Sequence, residues 1–162
     1  MVHQAKELGY TEPDPRVDLN GIDVRRKLII LARETGLNIE AKDVDIENIL
    51  PDNCQSATTV DDFFKAIEKS NNYFEEIREK AEKENKALRM IAKLNEGKAS
   101  IGLEAVDQNH PFYSLSGSDN MIVFTTERYK DRPLVVRGPG AGAEVTAAGV
   151  FAEIIKIGNY LS

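Results

Sequence analysis

Residues 11–31, TEPDPRVDLNGIDVRRKLIIL, constrain this chain more than any other stretch. Four carboxylates (Glu12, Asp14, Asp18, Asp23) and Lys27 crowd the approach to a helix and its first two turns. Pro13 and Pro15 extend the backbone ahead of that helix, because proline fixes its own φ and turns the preceding residue away from the helical region. The pattern predicts a main helix capped by Asp18 or Asn20, running to about residues 33–35 and stopping at Gly36. The run Leu28-Ile29-Ile30-Leu31-Ala32 reads as interior. Carboxylates and a lysine pressed on such a helix predict a polar pocket in an otherwise dry wall.

The remaining composition narrows the function classes. With 162 residues, 41% apolar and 30% charged, the chain can close one ordinary core. No stretch approaches the ~20 apolar residues that a bilayer requires, and MVHQAKELGY holds no apolar signal core. No membrane association and a cytoplasmic location are therefore expected. A net charge of −6 argues against a nucleic-acid partner. Cys54, the single cysteine, excludes an internal disulfide and fits a reducing compartment. His3 and His110 lie far apart, so no histidine-based metal site is expected.

In chain order, residues 2–8 predict a short helix ending at Gly9, read as a connector. Residues 43–50 predict a strand or extended segment, and Pro51–Thr58 a loop. Thr59 caps a helix with Asp61 and Asp62 in its first turn, favourable for the helix dipole. Ser70-Asn71-Asn72 interrupts it. A second, highly charged helix from Tyr73 to about Glu84 reads as a solvated outer helix with opposite charges three and four apart. The period then changes to two. Strands are expected at 87–94 and 99–106, joined by Asn95-Glu96-Gly97-Lys98, then at 121–126 and 133–137 after a loop. A glycine loop and a helix over about 145–160 close the chain. This order predicts an α+β fold: a mixed, mainly antiparallel sheet with helices on one face. The domain division is expected at 137/138, with 1–137 as one domain and 138–162 as glycine loop and helix.

Two stretches could carry chemistry. Asp23 and Lys27 are four apart and share a stripe of the helix with Asn20, so their side chains can meet. A lysine held by a carboxylate can donate a proton to a developing alkoxide. Further carboxylates suit a ligand that bears an ammonium group. Equally, the spacing describes a structural ion pair on a capped helix. The other stretch is Gly138-Pro139-Gly140-Ala141-Gly142, between a strand and a helix. Glycines there admit a ligand to the backbone, and a helix N-terminus attracts phosphate. The GxGxxG dinucleotide spacing is not met, since Glu144 and Val145 stand where its last glycine belongs, and the Walker lysine is absent.

Taken together, the two stretches are more specific. GYTEPDPRVDLNGIDVRRKLIILARE resembles the catalytic signature of the homoserine dehydrogenase family. RGPGAGAEVTAAGVFAEIIKI is similar to the C-terminal end of that family. LRMIAKLNEGKASIGLEAVDQNHPFYSLSGSDNMIVF fits between them, so the resemblance covers nearly the whole chain. LARETGLNIEAKDVDIENILP looks most like the dehydrogenase half of the bifunctional aspartokinase type. Val17 stands where many members have a second aspartate, and Arg25 where alanine is usual.

The resemblance implies NAD(P)H-dependent interconversion of L-aspartate 4-semialdehyde and L-homoserine, within threonine, methionine and isoleucine biosynthesis. It implies Lys27 as the acid/base lysine beside the reacting carbonyl, with Asp23 holding both substrate and lysine. Glu12 is implied as a ligand of the substrate amino group, Asp18 as support for the acidic pocket, and Tyr10 as its lining. Gly142 is implied to contact the cofactor, NADP or NAD. A nucleotide-binding domain, a second catalytic lysine and a monovalent-cation site are expected upstream, with an aspartokinase half as a further fusion. On this reading the chain is the substrate and dimerisation part, a homodimer through its sheet, and its last helix returns to the nucleotide domain. The part alone is expected to fold without turning over.

Two other classes stand beside this reading. One is a non-catalytic α+β interaction or regulatory domain, in which residues 11–31 are only a capped helix. The other is a related semialdehyde or malic-type dehydrogenase, which requires a nucleophilic cysteine or different substrate ligands. Cys54, expected in a polar loop without a nearby histidine, does not suit the role of nucleophile.

Overall fold

The computed structural model describes residues 2–7, 11–117, 119–140 and 142–161. It divides into two compact units, 1–106 and 107–162.

The first unit opens with α1 (Val2–Glu7), α2 (Arg16–Leu19) and α3 (Ile22–Glu34). The main helix expected from the sequence is α3; a short helix, α2, precedes it, and the chain breaks between the two at Asn20-Gly21. Gly21 has φ +74°, and a Cβ there would lie 3.3 Å from the Cγ2 of Ile101 and 3.5 Å from that of Ile46. Backbone sign and close packing both call for glycine here. The N-cap residue is Gly21 itself, with no capping side chain, rather than Asn20, whose Oδ1 accepts a hydrogen bond from the Ile22 N–H at 3.2 Å. Asp18 caps nothing in α3; it accepts from the Glu12 N–H instead. At the other end, Gly36 (φ +86°) closes α3 as predicted. The Leu37 N–H donates to the Ala32 carbonyl and the Gly36 N–H to that of Arg33, at 3.1 and 2.9 Å, the pairing of a Schellman motif.

After a 3-10 turn at Ala41–Asp43 come β1 (Val44–Ile46), α4 (Asp52–Gln55), α5 (Val60–Lys69) and α6 (Asn71–Lys83). The expected 51–58 loop therefore contains a helical turn. Thr59 caps α5, accepting from the Asp62 N–H at 3.1 Å. On α6, Arg78 bridges Glu75 and Glu82 on an exposed face, as a solvated outer helix requires. Next come β2 (Ala87–Asn95) and β3 (Lys98–Val106), an antiparallel hairpin turning through Glu96 (φ +49°) and Gly97 (φ +78°). Two consecutive positive φ angles mark the turn geometry that matches strand twist. β1 pairs in parallel with β3, giving a mixed sheet in the order β1-β3-β2.

This unit has two cores. Leu28 and Ala32 of α3 pack on Val44, Ala99 and Ile101 of the sheet, with Ile39. Leu50, Cys54, Phe63 and Ile67 form the other, against which Leu19 of α2 packs. Two expectations change here. Cys54 is not in a polar loop: α4 buries it completely, with Sγ 3.6 Å from the Ser70 hydroxyl. Ile30 is not interior but 61% exposed. Five consecutive helical residues cover more than one full turn, so they cannot all face one core.

The second unit contains β4 (Asp119–Phe124), β5 (Leu134–Pro139) and α7 (Ala143–Leu161). β4 and β5 pair antiparallel from Asp119↔Pro139 to Phe124↔Leu134 and form a sheet of their own, rather than extending the first one. The division expected at 137/138 falls inside β5, whereas the compact units part at Val106/Asp107. The architecture is α+β, with small, mostly antiparallel sheets. α7 buries none of its residues, and among the described residues no helix is long and apolar enough to cross a membrane.

Candidate active site

The first turn of α3 starts from Gly21, whose left-handed backbone turns the chain out of α2. Leu28 and Ala32 face the sheet, which directs Asp23 and Lys27 along another face of the helix. Lys27 Nζ lies 2.8 Å from Asp23 Oδ2. Their side chains are 55% and 35% exposed. The pair forms as the spacing predicted, but the dry-walled pocket does not: Lys27 is open to solvent on the helix face that also presents Ile30.

The approach to α2 is tied by its own carboxylates. The Glu12 N–H donates to Asp18 Oδ2 at 2.9 Å, which closes the loop over Pro13–Val17 and leaves the Glu12 side chain exposed. Asp14 receives Arg16 as a fork, Nε at 2.9 Å from Oδ1 and Nη2 at 2.6 Å from Oδ2, with the Arg16 N–H adding a third bond at 3.0 Å. Hydrogen bonding to the Arg16 side chain holds the Asp14 carboxyl below its ordinary pKa, and Asp14 raises that of Arg16 in return. Tyr10 lies outside the described residues.

Gly142 belongs to the second unit. Its φ is +127°, and a Cβ there would meet nothing within 4 Å. Its carbonyl accepts from both the N–H and the hydroxyl of Thr146 at 3.0 Å, so it opens the first turn of α7. Open backbone at the N-terminus of a 19-residue helix fits the approach of an anionic group. Gly140 differs: a Cβ there would lie 1.5 Å from Asn120 Nδ2, so that glycine serves packing.

Of the implied residues, the structure joins Asp23 to Lys27 and Asp18 to Glu12, each within the first unit. Sequence reasoning passed over Arg16 and Gly21. The Asp-Pro-Arg order does offer Arg16 a carboxylate two residues back, but the Ala57 carbonyl that it also meets lies 41 positions away and leaves no local trace.

A family profile described as homoserine dehydrogenase matches residues 1–155. The bifunctional aspartokinase/homoserine dehydrogenase 1 of Zea mays is 47% identical over 99% of this chain and 18% of its own length. The homoserine dehydrogenase of Schizosaccharomyces pombe is 46% identical over 97% of this chain and 43% of its own. A Candida auris crystal structure of unknown function superposes with TM-score 0.88 at 43% identity, covering 98% of this chain and 45% of that one. A putative homoserine dehydrogenase from Archaeoglobus fulgidus gives 0.70 at 28% identity, with 96% and 41% covered. The chain thus spans less than half the length of these relatives. Matched by the family profile along 1–155 and similar to these relatives over almost all its length, the chain belongs to the homoserine dehydrogenase family.

Proposed function

We propose that this chain is the substrate-binding and catalytic part of a homoserine dehydrogenase, interconverting L-aspartate 4-semialdehyde and L-homoserine in the biosynthesis of threonine, methionine and isoleucine. The observation that carries this reading is the Asp23–Lys27 pair at 2.8 Å, on a helix anchored from behind, in a chain of this family. The pyridine nucleotide, NADP or NAD, supplies or accepts the hydride when bound. In the reducing direction, Lys27 Nζ gives a proton to the former aldehyde oxygen as the alkoxide forms; in the oxidising direction it takes the hydroxyl proton back. Asp23 holds Nζ in place and orients the substrate hydroxyl. Glu12 offers its exposed carboxylate to the substrate ammonium. Asp18 fixes the Glu12 backbone through Oδ2 and adds a second carboxylate for the same ammonium.

Gly142 and the start of α7 would hold an anionic part of the nucleotide, completed by a nucleotide-binding domain in the part of the relatives' length that this chain does not span. The apolar α7 is read as packing on that domain. A homodimer through the sheet and a cytoplasmic location, where Cys54 stays a buried free thiol, complete the proposal. The test is an assay of the full-length protein that carries this domain. Oxidation of NADPH or NADH that depends on aspartate semialdehyde is expected, and its absence with both nucleotides would contradict the reading.

A further inference from the structure

Arg16 has no hydrogen bond to Lys27 or Asp23; its partners are Asp14 and Ala57. Arg16 begins α2 and is only 21% exposed on its side chain. All three nitrogens of its guanidinium are hydrogen-bonded. Nε and Nη2 grip both oxygens of Asp14, while Nη1 donates to the carbonyl of Ala57. That last bond crosses 41 positions and ties the 11–19 segment to the connection between α4 and α5. Ala57 itself packs against the core formed by Leu50, Cys54, Phe63 and Ile67. The carbonyl is therefore a fixed point, not a mobile loop atom.

Arg16 lies inside the loop that bears Glu12 at one end and Asp18 at the other. The loop's ends are fastened to each other by the Glu12 N–H to Asp18 bond. That bond sets the loop's shape but not its place on the protein. Placement comes from Arg16, from the fully buried Pro15, and from Leu19 on the second core. Of these, only Arg16 is rigid, forked and polar, so it fixes direction as well as depth.

We propose that Arg16 is the positioning residue of the substrate loop: by clamping Asp14 to the Ala57 carbonyl, it aims the Glu12 and Asp18 carboxylates at the substrate ammonium. This rests on the proposed reading of Glu12 and Asp18 as substrate ligands. The role differs from general stabilisation in what it affects. Misaim of the ammonium ligands weakens amino-acid binding, while Asp23 and Lys27, held on α3 by the other core, keep their geometry.

The experiment is steady-state kinetics of the full-length enzyme with Arg16→Ala, with L-homoserine and the nucleotide varied in turn. The KM for L-homoserine should rise about tenfold or more, as expected when a charge-assisted fork that fixes geometry is lost. The value of kcat should stay within about threefold, and the nucleotide KM should not move. Arg16→Lys keeps charge and stem but loses the fork, and should give a smaller rise in the same constant. If Arg16→Ala does not fold, Arg16→Lys carries the test alone. An unchanged homoserine KM, or a fall in kcat without a change in KM, would overturn the proposal and leave Arg16 as a structural residue. A wild-type enzyme without homoserine-dependent activity would instead overturn the functional reading beneath it.

Discussion

α3 and α7 are the two long helices to which the proposal assigns chemistry, and they are held in opposite ways. α3, with 13 residues, buries Leu28 and Ala32 against the sheet and is closed at both ends, by Gly21 and by the Gly36 motif. α7, with 19 residues and a far more apolar composition, buries nothing: Phe151 is 64% exposed, and Ile154 and Ile157 are similarly open. Apolar content alone therefore does not say where a helix sits. In α3 the apolar positions recur so as to meet a sheet of the same unit, so Asp23 and Lys27 are held by local packing. In α7 the apolar positions run round the helix, and the second unit offers only a two-stranded sheet. The Asp23–Lys27 pair is thus held by the packing of its own unit, whereas α7 buries none of its residues.

This contrast can be broken by substitution. Leu28→Ala should have the largest effect on stability, about 2–5 kcal/mol in chemical denaturation, because it opens a cavity between α3 and the sheet. A loss below about 1 kcal/mol would mean that α3 is not anchored as described. Gly21→Ala comes next, at about 1–3 kcal/mol, since it forces a Cβ onto a left-handed backbone that faces Ile101. Phe151→Ala in the 162-residue chain should change stability by no more than about 0.5 kcal/mol, as for an exposed site. The same substitution in the full-length protein sharpens the comparison: a cost of about 2 kcal/mol or more there would show α7 covered by another domain.

Much of this was legible in the sequence, for identifiable reasons. Periodicity exposed the β2–β3 hairpin, since Glu96-Gly97 can adopt two positive φ angles and alternation flanks them. Thr59 was readable as a cap because capping is local. The Asp23–Lys27 contact followed from four-residue spacing. What failed was long-range. Nothing local says that the Asn20-Gly21 break is demanded by Ile101, 80 positions on, or that β4 and β5 pair only with each other. Cys54 looked polar because its neighbours Asp52, Asn53 and Gln55 are; the Phe63 side chain that helps bury it lies on another helix. The exposed lysine shows the same limit: an apolar run beside Lys27 predicted a dry wall, but only one face of α3 meets the sheet.

Lys27 is the residue on which the proposed proton transfer depends. In the full-length enzyme, Lys27→Ala should lower kcat for homoserine oxidation by about 10²–10⁴-fold, the usual share of a positioned acid or base. Its unfolding free energy should move by less than about 1 kcal/mol, because an exposed i,i+4 pair contributes little to stability. Both values come from one preparation, by steady-state assay and denaturation. A variant that keeps kcat within about threefold of the wild type would contradict the acid/base role of Lys27.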